Sequence, residues 1–401
     1  MESPVYITGL GVISAIGLNT SENFDSLKSG NHGLGNMHFI QSIHKDEIPV
    51  CEVKYSDSDL LDLLKISNSK GLTRTAILGI KAASEALSMT NIHLEDGCKT
   101  ALINSTTVGG MNITEEIYYD LLNLQKEGNF LDYIDSHDCG DSTERIADFL
   151  GVRDMISTIS TACSSSANAI MYGARLIKHG IVDRAICGGT DALSKFTING
   201  FNSLMILSKQ HCMPFDQNRV GLNLGEGAGF VVLEGENSLS KSNSEVLALL
   251  SGYANTNDAY HQTASSPEGN GAFLAMSEAV RYAGIHPEQI GYINVHGTAT
   301  PNNDLSEGRA MNRLFGNEIP LFSSTKPFTG HTLAACGGIE AVYSVLSLKH
   351  NAIYASLNFS TPMEELPLKP VQQFTESIVQ YVLSNSFGFG GNNTSLVFGK
   401  P

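Results

Sequence analysis

Three residues carry the strongest chemical signal in the chain. Cys163 stands in TACSSSANAI, between the apolar, Ser/Thr-rich run MISTISTA and a run of small and apolar residues that Gly180 ends. Its neighbours Ala162 and Ser164 to Ser166 are small enough to leave the sulfur accessible. A thiol at a helix N-terminus gains from the dipole and from free N–H groups, which predicts a lowered pKa and a reactive thiolate. The alternative for any reduced cysteine is a packed core residue, and the other six, including Cys187 and Cys336, read that way. His296 follows the strand-like Tyr-Ile-Asn-Val in NVHGTATPNND, with the hydroxyls of Thr298 and Thr300 nearby. His331 follows Gly330 at the mouth of a second apolar helix, five residues after Lys326. A helix N-terminus keeps an imidazole neutral, so it can donate a hydrogen bond to an oxyanion without ionising. One cysteine and two histidines, each at a strand end, point to thioester chemistry.

The segment SNSFGFGGNNTS interleaves Gly388, Gly390 and Gly391 with Phe387 and Phe389. It reads either as a glycine-rich hairpin or as a loop whose exposed N–H groups supply half of an oxyanion hole. Near the N-terminus, Gly9-Leu10-Gly11 is expected to halt the strand Val5 to Thr8 in a tight turn. It lacks the third glycine and the following acid of a dinucleotide fingerprint. The cysteines, odd in number and scattered, show neither a Cys-x-x-Cys pair nor zinc-ligand spacing, which argues against disulfides and structural metal.

The elements that must position these groups alternate between strand and helix. Strand-like runs fall at 101–103, 185–187, 230–233, 246–250, 292–295, 321–323, 381–383 and 395–398, an α/β pattern. The runs after Cys163 and after His331 both read as helices apolar on most faces, which belong in the middle of a large protein. Two such strand, turn and helix units suggest two similar halves, 1–240 with Cys163 and 241–401 with His296, Lys326 and His331. The polar stretch Glu234 to Glu245 reads as the surface connection between them. A length of 401 residues suits this division, since single cores stop growing near 250 to 300 residues. Forty-one acids against 25 bases give a net charge of −16, which disfavours nucleic acid and anionic membranes as partners. No apolar stretch reaches a membrane span of about 18 residues, and MESPVYITGLGVIS has no basic segment before an apolar run, so a cytoplasmic protein is expected.

The ordered motifs VYITGLGVISAIG, TACSSSANAI, CGGTDAL, MPFDQNRVGLNLGEGAGFVVLE, NVHGTATPNND, STKPFTGHTLAACGGIEA and SNSFGFGGNN run almost end to end. Through them the chain resembles the β-ketoacyl-acyl carrier protein synthases of the elongating type. The resemblance implies a thiolase-like, five-layered αβαβα fold built from two similar halves. It implies a homodimer, or a heterodimer with a related subunit, and acyl carrier protein as partner. No cofactor is implied beyond the phosphopantetheine arm that carries the substrates. The implied reaction is a decarboxylative Claisen condensation of malonyl-ACP with an acyl chain held as a Cys163 thioester, in fatty acid biosynthesis. An alternative is the same chemistry in a polyene or polyketide pathway beside a partner subunit. A non-catalytic chain-length subunit typically lacks the nucleophile that this chain has.

Residue by residue, the resemblance makes Cys163 the nucleophile and gives decarboxylation to His296 and His331. Lys326 then holds His331 electrostatically, and the N–H groups of Cys163 and Phe389 form the oxyanion hole, with the Phe389 ring as gate. Thr298 and Thr300 match the pantetheine-binding hydroxyls. Glu340 matches a supporting glutamate that in some members holds a structural cation with Asn294, Ser384 and Asn385. Val108, in TTVGG, departs from the usual Gly-x-Gly-x-Gly-Gly of the acyl pocket, and the acidic segment Asn123 to Asp141 occupies the place of a pocket floor shared across the dimer. Lys65, Lys70 and Arg74 are read as either a carrier-protein docking patch or a solvated charged loop.

Overall fold

A computed structural model of the protein describes residues 4–401. Its main sheet has ten strands, namely β1 (Tyr6–Ser14), β2 (Thr100–Ser105), β3 (Met155–Ile159), β4 (Arg184–Asp191), β5 (Gly227–Glu234), β6 (Ala248–Asn257), β7 (Ile290–Asn294), β8 (Leu321–Ser323), β11 (Tyr381–Phe387) and β12 (Asn392–Gly399). A small separate ladder pairs β9 (Ala352–Ile353) with β10 (Thr375–Glu376). The order across the main sheet is β3-β2-β4-β5-β1-β6-β12-β11-β7-β8.

Read outward from its middle, this order repeats itself. On one side β1 pairs antiparallel with β5 and β5 with β4, then β4 pairs parallel with β2 and β2 with β3. On the other, β6, β12, β11, β7 and β8 follow with the same sequence of senses. The expected two similar halves are therefore present as one topology used twice. Among the described residues, Tyr6 opposite Leu249 and Ile7 opposite Ala248 join the two halves within the main sheet.

The layering follows from which helix faces are apolar. The helices Ser165–Lys178 and Cys336–His350 touch each other and both halves of the sheet. Every residue from Cys336 to Leu348 is buried, as a helix apolar on all sides requires. Arg74–Ser88 covers β1 and β5 from outside, and Asn270–Ala283 covers β6 and β12. The result is helix, half-sheet, helix, half-sheet, helix, with one core cluster around the central helices and one under each outer helix.

Two sequence expectations fail here for tertiary reasons. Gly9 and Gly11 form no turn; β1 continues through them to Ser14, with an irregularity in its pairing between Ile7 and Gly9. A methyl group at Gly11 would lie 1.9 Å from the Ala82 carbonyl oxygen, and one at Gly9 would lie 2.1 Å from that of Ala86. The glycines let the backbone of Arg74–Ser88 rest on the strand, and Gly252 of β6 does the same for the second half, 2.2 Å from the Ala279 oxygen. Nor is 234–245 an irregular surface connection. It holds the helix Glu236–Ser242, and Glu234 is fully buried, accepting hydrogen bonds from Thr8, Ser238 and Ser242.

Candidate active site

The topological repeat brings the predicted residues together. After β3 the chain turns through Thr161, Ala162 and Cys163 before the central helix starts at Ser165. Ala162 takes the left-handed region at φ 54°, a conformation costly for a residue with a Cβ and typical of functional turns. Hydrogen bonds hold it there: Thr161 N–H to Ser165 Oγ (2.8 Å), Ser165 Oγ to the Ala162 carbonyl (2.5 Å), and the Cys336 thiol to the Cys163 carbonyl (3.1 Å). Beyond β7, His296 and Gly297 donate their N–H groups to the two oxygens of Glu307, each at 2.9 Å. Beyond β8, Lys326 leads through a short turn to His331, whose N–H is held by the Asn223 carbonyl at 2.7 Å.

Cys163 Sγ and one ring nitrogen each of His296 and His331 lie within 4.8 Å of one another, all buried. The two imidazoles stand edge to face at 5.5 Å and 89°. Lys326 Nζ donates to Glu340 Oε1 at 2.6 Å and lies 3.3 Å from His296 Nδ1. Burial alone would push the Lys326 ammonium down, but Glu340 outweighs it and holds the side chain charged. Burial lowers both histidines, with the Lys326 charge adding to it: His331 falls to about 3 and His296 well below the imidazole range. Both are neutral, as expected, though the helix dipole is not the cause, since His331 precedes the Cys336–His350 helix by a turn.

The tautomers follow from the neighbours. His331 Nδ1 accepts from the Leu333 N–H at 3.0 Å, and His296 Nδ1 faces the Lys326 ammonium, so in each ring the proton sits on Nε2. Both rings thus carry a neutral N–H donor. The same geometry opposes metal binding by this Cys/His/His set, despite its ligand types. Ligation through Nε2 would move the proton to Nδ1, where a donor already points.

For Cys163 the expectation of a lowered pKa is wrong. Burial pushes the thiol up to about 11, against the partial offset of Lys326 and of the Phe389 and Cys163 backbone N–H groups that point at the sulfur. Those two N–H groups are the pair expected for an oxyanion hole. The glycine-rich segment is therefore a loop over the nucleophile, and at Gly388 a methyl group would lie 3.1 Å from the Cys163 nitrogen.

Two cavities meet at the sulfur. One, about 340 Å³, has His296, His331, Thr298 and Thr300 in its wall, the two threonine hydroxyls 2.9 Å apart. The other, about 360 Å³, is almost wholly apolar and is lined by Val108, Ala162, Phe196, Leu204 and Leu333. Cys163, Phe201 and Phe389 belong to both, and the two phenylalanine rings stack at 5.7 Å. Phe201, Glu307 and Asp191 were not singled out from sequence. Asp191 accepts from Thr106, Thr107 and the Ala334 N–H, tying the Val108 loop to the His331 turn. Asp191 lies within the motif CGGTDAL, which gave it no role of its own, and Phe201 and Glu307 lie outside every quoted motif.

The remaining expected residues divide. Glu340 is buried against Lys326, with its second oxygen lacking a hydrogen-bond partner, as does the Asn294 carboxamide. These two could ligate a structural cation through oxygen. The Asn385 side chain is already committed to Glu307 and Ser395, and Ser384 pairs with Asn294 in the sheet. Lys65 is exposed, and Lys70 is exposed and paired with Asp132 at 3.1 Å. Arg74 does not belong in a docking patch: it is buried, bonded to both oxygens of Glu226 and to Asp57.

A thiol, two neutral imidazole donors and a paired backbone N–H site, set between the halves of a doubled αβαβα fold, define a condensing enzyme of the thiolase type. The family models of the β-ketoacyl synthase N-terminal and C-terminal domains match residues 2–238 and 247–360. The 3-oxoacyl-[acyl-carrier-protein] synthase 2 proteins of Synechocystis sp. and Staphylococcus aureus are each 32% identical over 408 residues, covering 99% of this chain and 98% of theirs. Among solved structures, the ishigamide ketosynthase/chain length factor superposes with a TM-score of 0.93 at 28% identity over 100% of both chains. The ketosynthase ApeO, solved in complex with its chain length factor ApeC from Xenorhabdus doucetiae, gives 0.85 at 34% identity over 100% of this chain and 98% of the other. The chain belongs to the β-ketoacyl synthase family, condensing enzymes of the acyltransferase class.

Proposed function

We propose that the protein extends an acyl chain by two carbons, condensing it with malonyl carried on acyl carrier protein, and that Cys163, His296 and His331 carry the chemistry. The observation that supports this most directly is the pair of neutral Nε2–H donors beside a thiol, each fixed by a donor at its Nδ1.

In the first half-reaction Cys163 Sγ attacks the carbonyl carbon of an acyl thioester. The oxygen gathers negative charge between the Cys163 and Phe389 N–H groups. Collapse expels the carrier thiolate, which takes up the proton that Cys163 gives up, so one thioester replaces another. The acyl chain lies in the apolar cavity beside Val108. In the second half-reaction the malonyl thioester enters along Thr298 and Thr300, and its carbonyl oxygen accepts from both histidines. Loss of carbon dioxide leaves its electron pair on the adjacent carbon as an enolate. Two N–H donors stabilise that charge without themselves ionising. The carbon attacks the Cys163 thioester, a carbon–carbon bond forms, and Cys163 leaves as thiolate and takes up the one proton that the reaction draws from solvent. Lys326, held by Glu340, keeps the His296 proton on Nε2.

Malonyl-ACP offered with a ladder of acyl-ACPs, and products read by mass, tests this. Cys163→Ala should abolish condensation while leaving malonyl decarboxylation, and His331→Ala should depress carbon dioxide release by about 10²-fold or more. Condensation surviving in Cys163→Ala, or unaltered release in His331→Ala, would overturn the assignments. The likeness to ketosynthases solved with chain length factors favours a second reading, the same chemistry with a related subunit as partner. Co-expression with a neighbouring homologous chain, followed by sizing, separates the two. Docking of the acidic carrier is assigned to exposed Lys65 and Lys70; charge reversal there should raise KM for acyl-ACP mainly at low salt.

A further inference from the structure

The two halves of the oxyanion hole come from different ends of the chain. The Cys163 N–H belongs to the turn after β3, and the Phe389 N–H to the loop between β11 and β12, 226 residues later. Their mutual placement must be fixed by something that touches both segments, because an oxyanion donor displaced by even 1 Å loses much of its effect.

We propose that Asn392 is the positioning residue that sets the separation of the two oxyanion-hole N–H groups. Its backbone carbonyl accepts the Gly388 N–H at 2.8 Å, which closes the Phe389 loop on itself. Its side-chain Oδ1 gathers donors from three other segments. Asn168 Nδ2, on the helix that begins just after the nucleophile, reaches it at 3.0 Å, and Asn255 Nδ2 of β6 at 2.7 Å. The Ser164 hydroxyl, next to Cys163, lies 2.7 Å from it and equally close to the Thr161 carbonyl, so its one proton serves either.

The remaining hydrogens of the network are used up in ways that fix its sense. Asn168 Nδ2 gives its other proton to Thr161 Oγ1, and its Oδ1 accepts from Thr394. Asn255 Nδ2 also donates to Thr394 Oγ1. Two amide donors converge on one point, so the Asn392 group there must be its oxygen; the reversed amide would set three NH₂ groups against each other. An acceptor at position 392 thus ties the nucleophile turn, the central helix and β6 to the loop that carries Phe389. Among the described residues, no hydrogen bond of Asn392 reaches His296, His331 or Lys326.

This asymmetry makes the inference testable, and it rests on the condensation reading above. Asn392→Ala should slow acylation of Cys163 by an acyl-ACP about tenfold or more, while carbon dioxide release from malonyl-ACP stays within about twofold. Asn392→Asp, which restores acceptor oxygens, should recover acylation to within a few-fold. A purely structural role would lower both rates together, and parallel loss would overturn the proposal, as would unchanged acylation in Asn392→Ala or failed rescue by Asn392→Asp. Amide hydrogen exchange gives a readout that needs no turnover. In Asn392→Ala, peptides covering 160–166 and 386–392 should exchange faster, while those covering 294–300 and 326–334 should not. If the wild-type protein acylates nothing, the reaction assignment fails, and the exchange pattern still decides for or against the staple.

Discussion

Burial decides the protonation of the thiol and both imidazoles at the reaction centre, and it acts on the two in opposite senses. The histidines stay neutral and useful as donors, while Cys163 stays a thiol until an electrophile arrives. The sign gives a direct test. With the thiol pushed up to about 11, the thiolate fraction grows with each step of pH below that value, so alkylation of Cys163 by iodoacetamide should speed up about tenfold per unit from pH 7 to 9. A rate that levels off below pH 8 would mean that the N–H pair and Lys326 outweigh burial. Residue types and order were readable from the sequence because Cys163, His296 and His331 each lie in a connection that follows a strand, β3, β7 and β8. The direction of the Cys163 shift was not. The dipole argument sees the helix that follows the residue, whereas the cavity around the sulfur is lined by Phe201, Leu333 and Phe389, all distant in sequence.

At the scale of elements, the strands were legible as apolar and β-branched runs, but the meaning of their glycines was not. Nothing local distinguishes a glycine that turns a chain from one that lets a helix lie on a strand. Gly11→Ala tests the second role: with a backbone oxygen 1.9 Å from the new methyl group, Arg74–Ser88 must shift, costing roughly 1–3 kcal/mol and lowering Tm by several degrees. An unchanged Tm would mean that the helix is free to move. The loop Thr106–Gly110 offers a test of specificity. Val108→Phe adds bulk to a cavity of about 360 Å³ beside the nucleophile, so products should shorten while acetyl transfer is retained. An identical product spectrum would place the acyl chain elsewhere.

For the whole molecule, the repeated topology explains why the site needs both halves. Cys163 follows β3, and Lys326 and His331 follow β8, the strand that holds the equivalent place in the other half. Among the described residues β3 pairs only with β2, so one edge of the sheet is open, with Ile156 40% exposed. Leu124, Leu131 and Ile134, three apolar residues of the acidic 123–141 segment, are exposed as well. Open apolar edges invite a partner strand. Ile156→Asp should therefore shift the protein to a smaller species in size-exclusion chromatography, and an unmoved elution volume would place the partner surface elsewhere. The low share of charged residues, 16%, was the sequence trace of these stacked layers, but composition could not say which face stays uncovered.

Because two residue pairs of the main sheet, among the described residues, join the halves across β1 and β6, the connection near residues 235–247 offers a place to divide the chain. Each fragment would retain a complete five-strand topology but only part of the reaction centre. Neither should turn over substrate alone, and recovered turnover on mixing would count correctly reassembled molecules, making the enzyme its own fragment-complementation sensor.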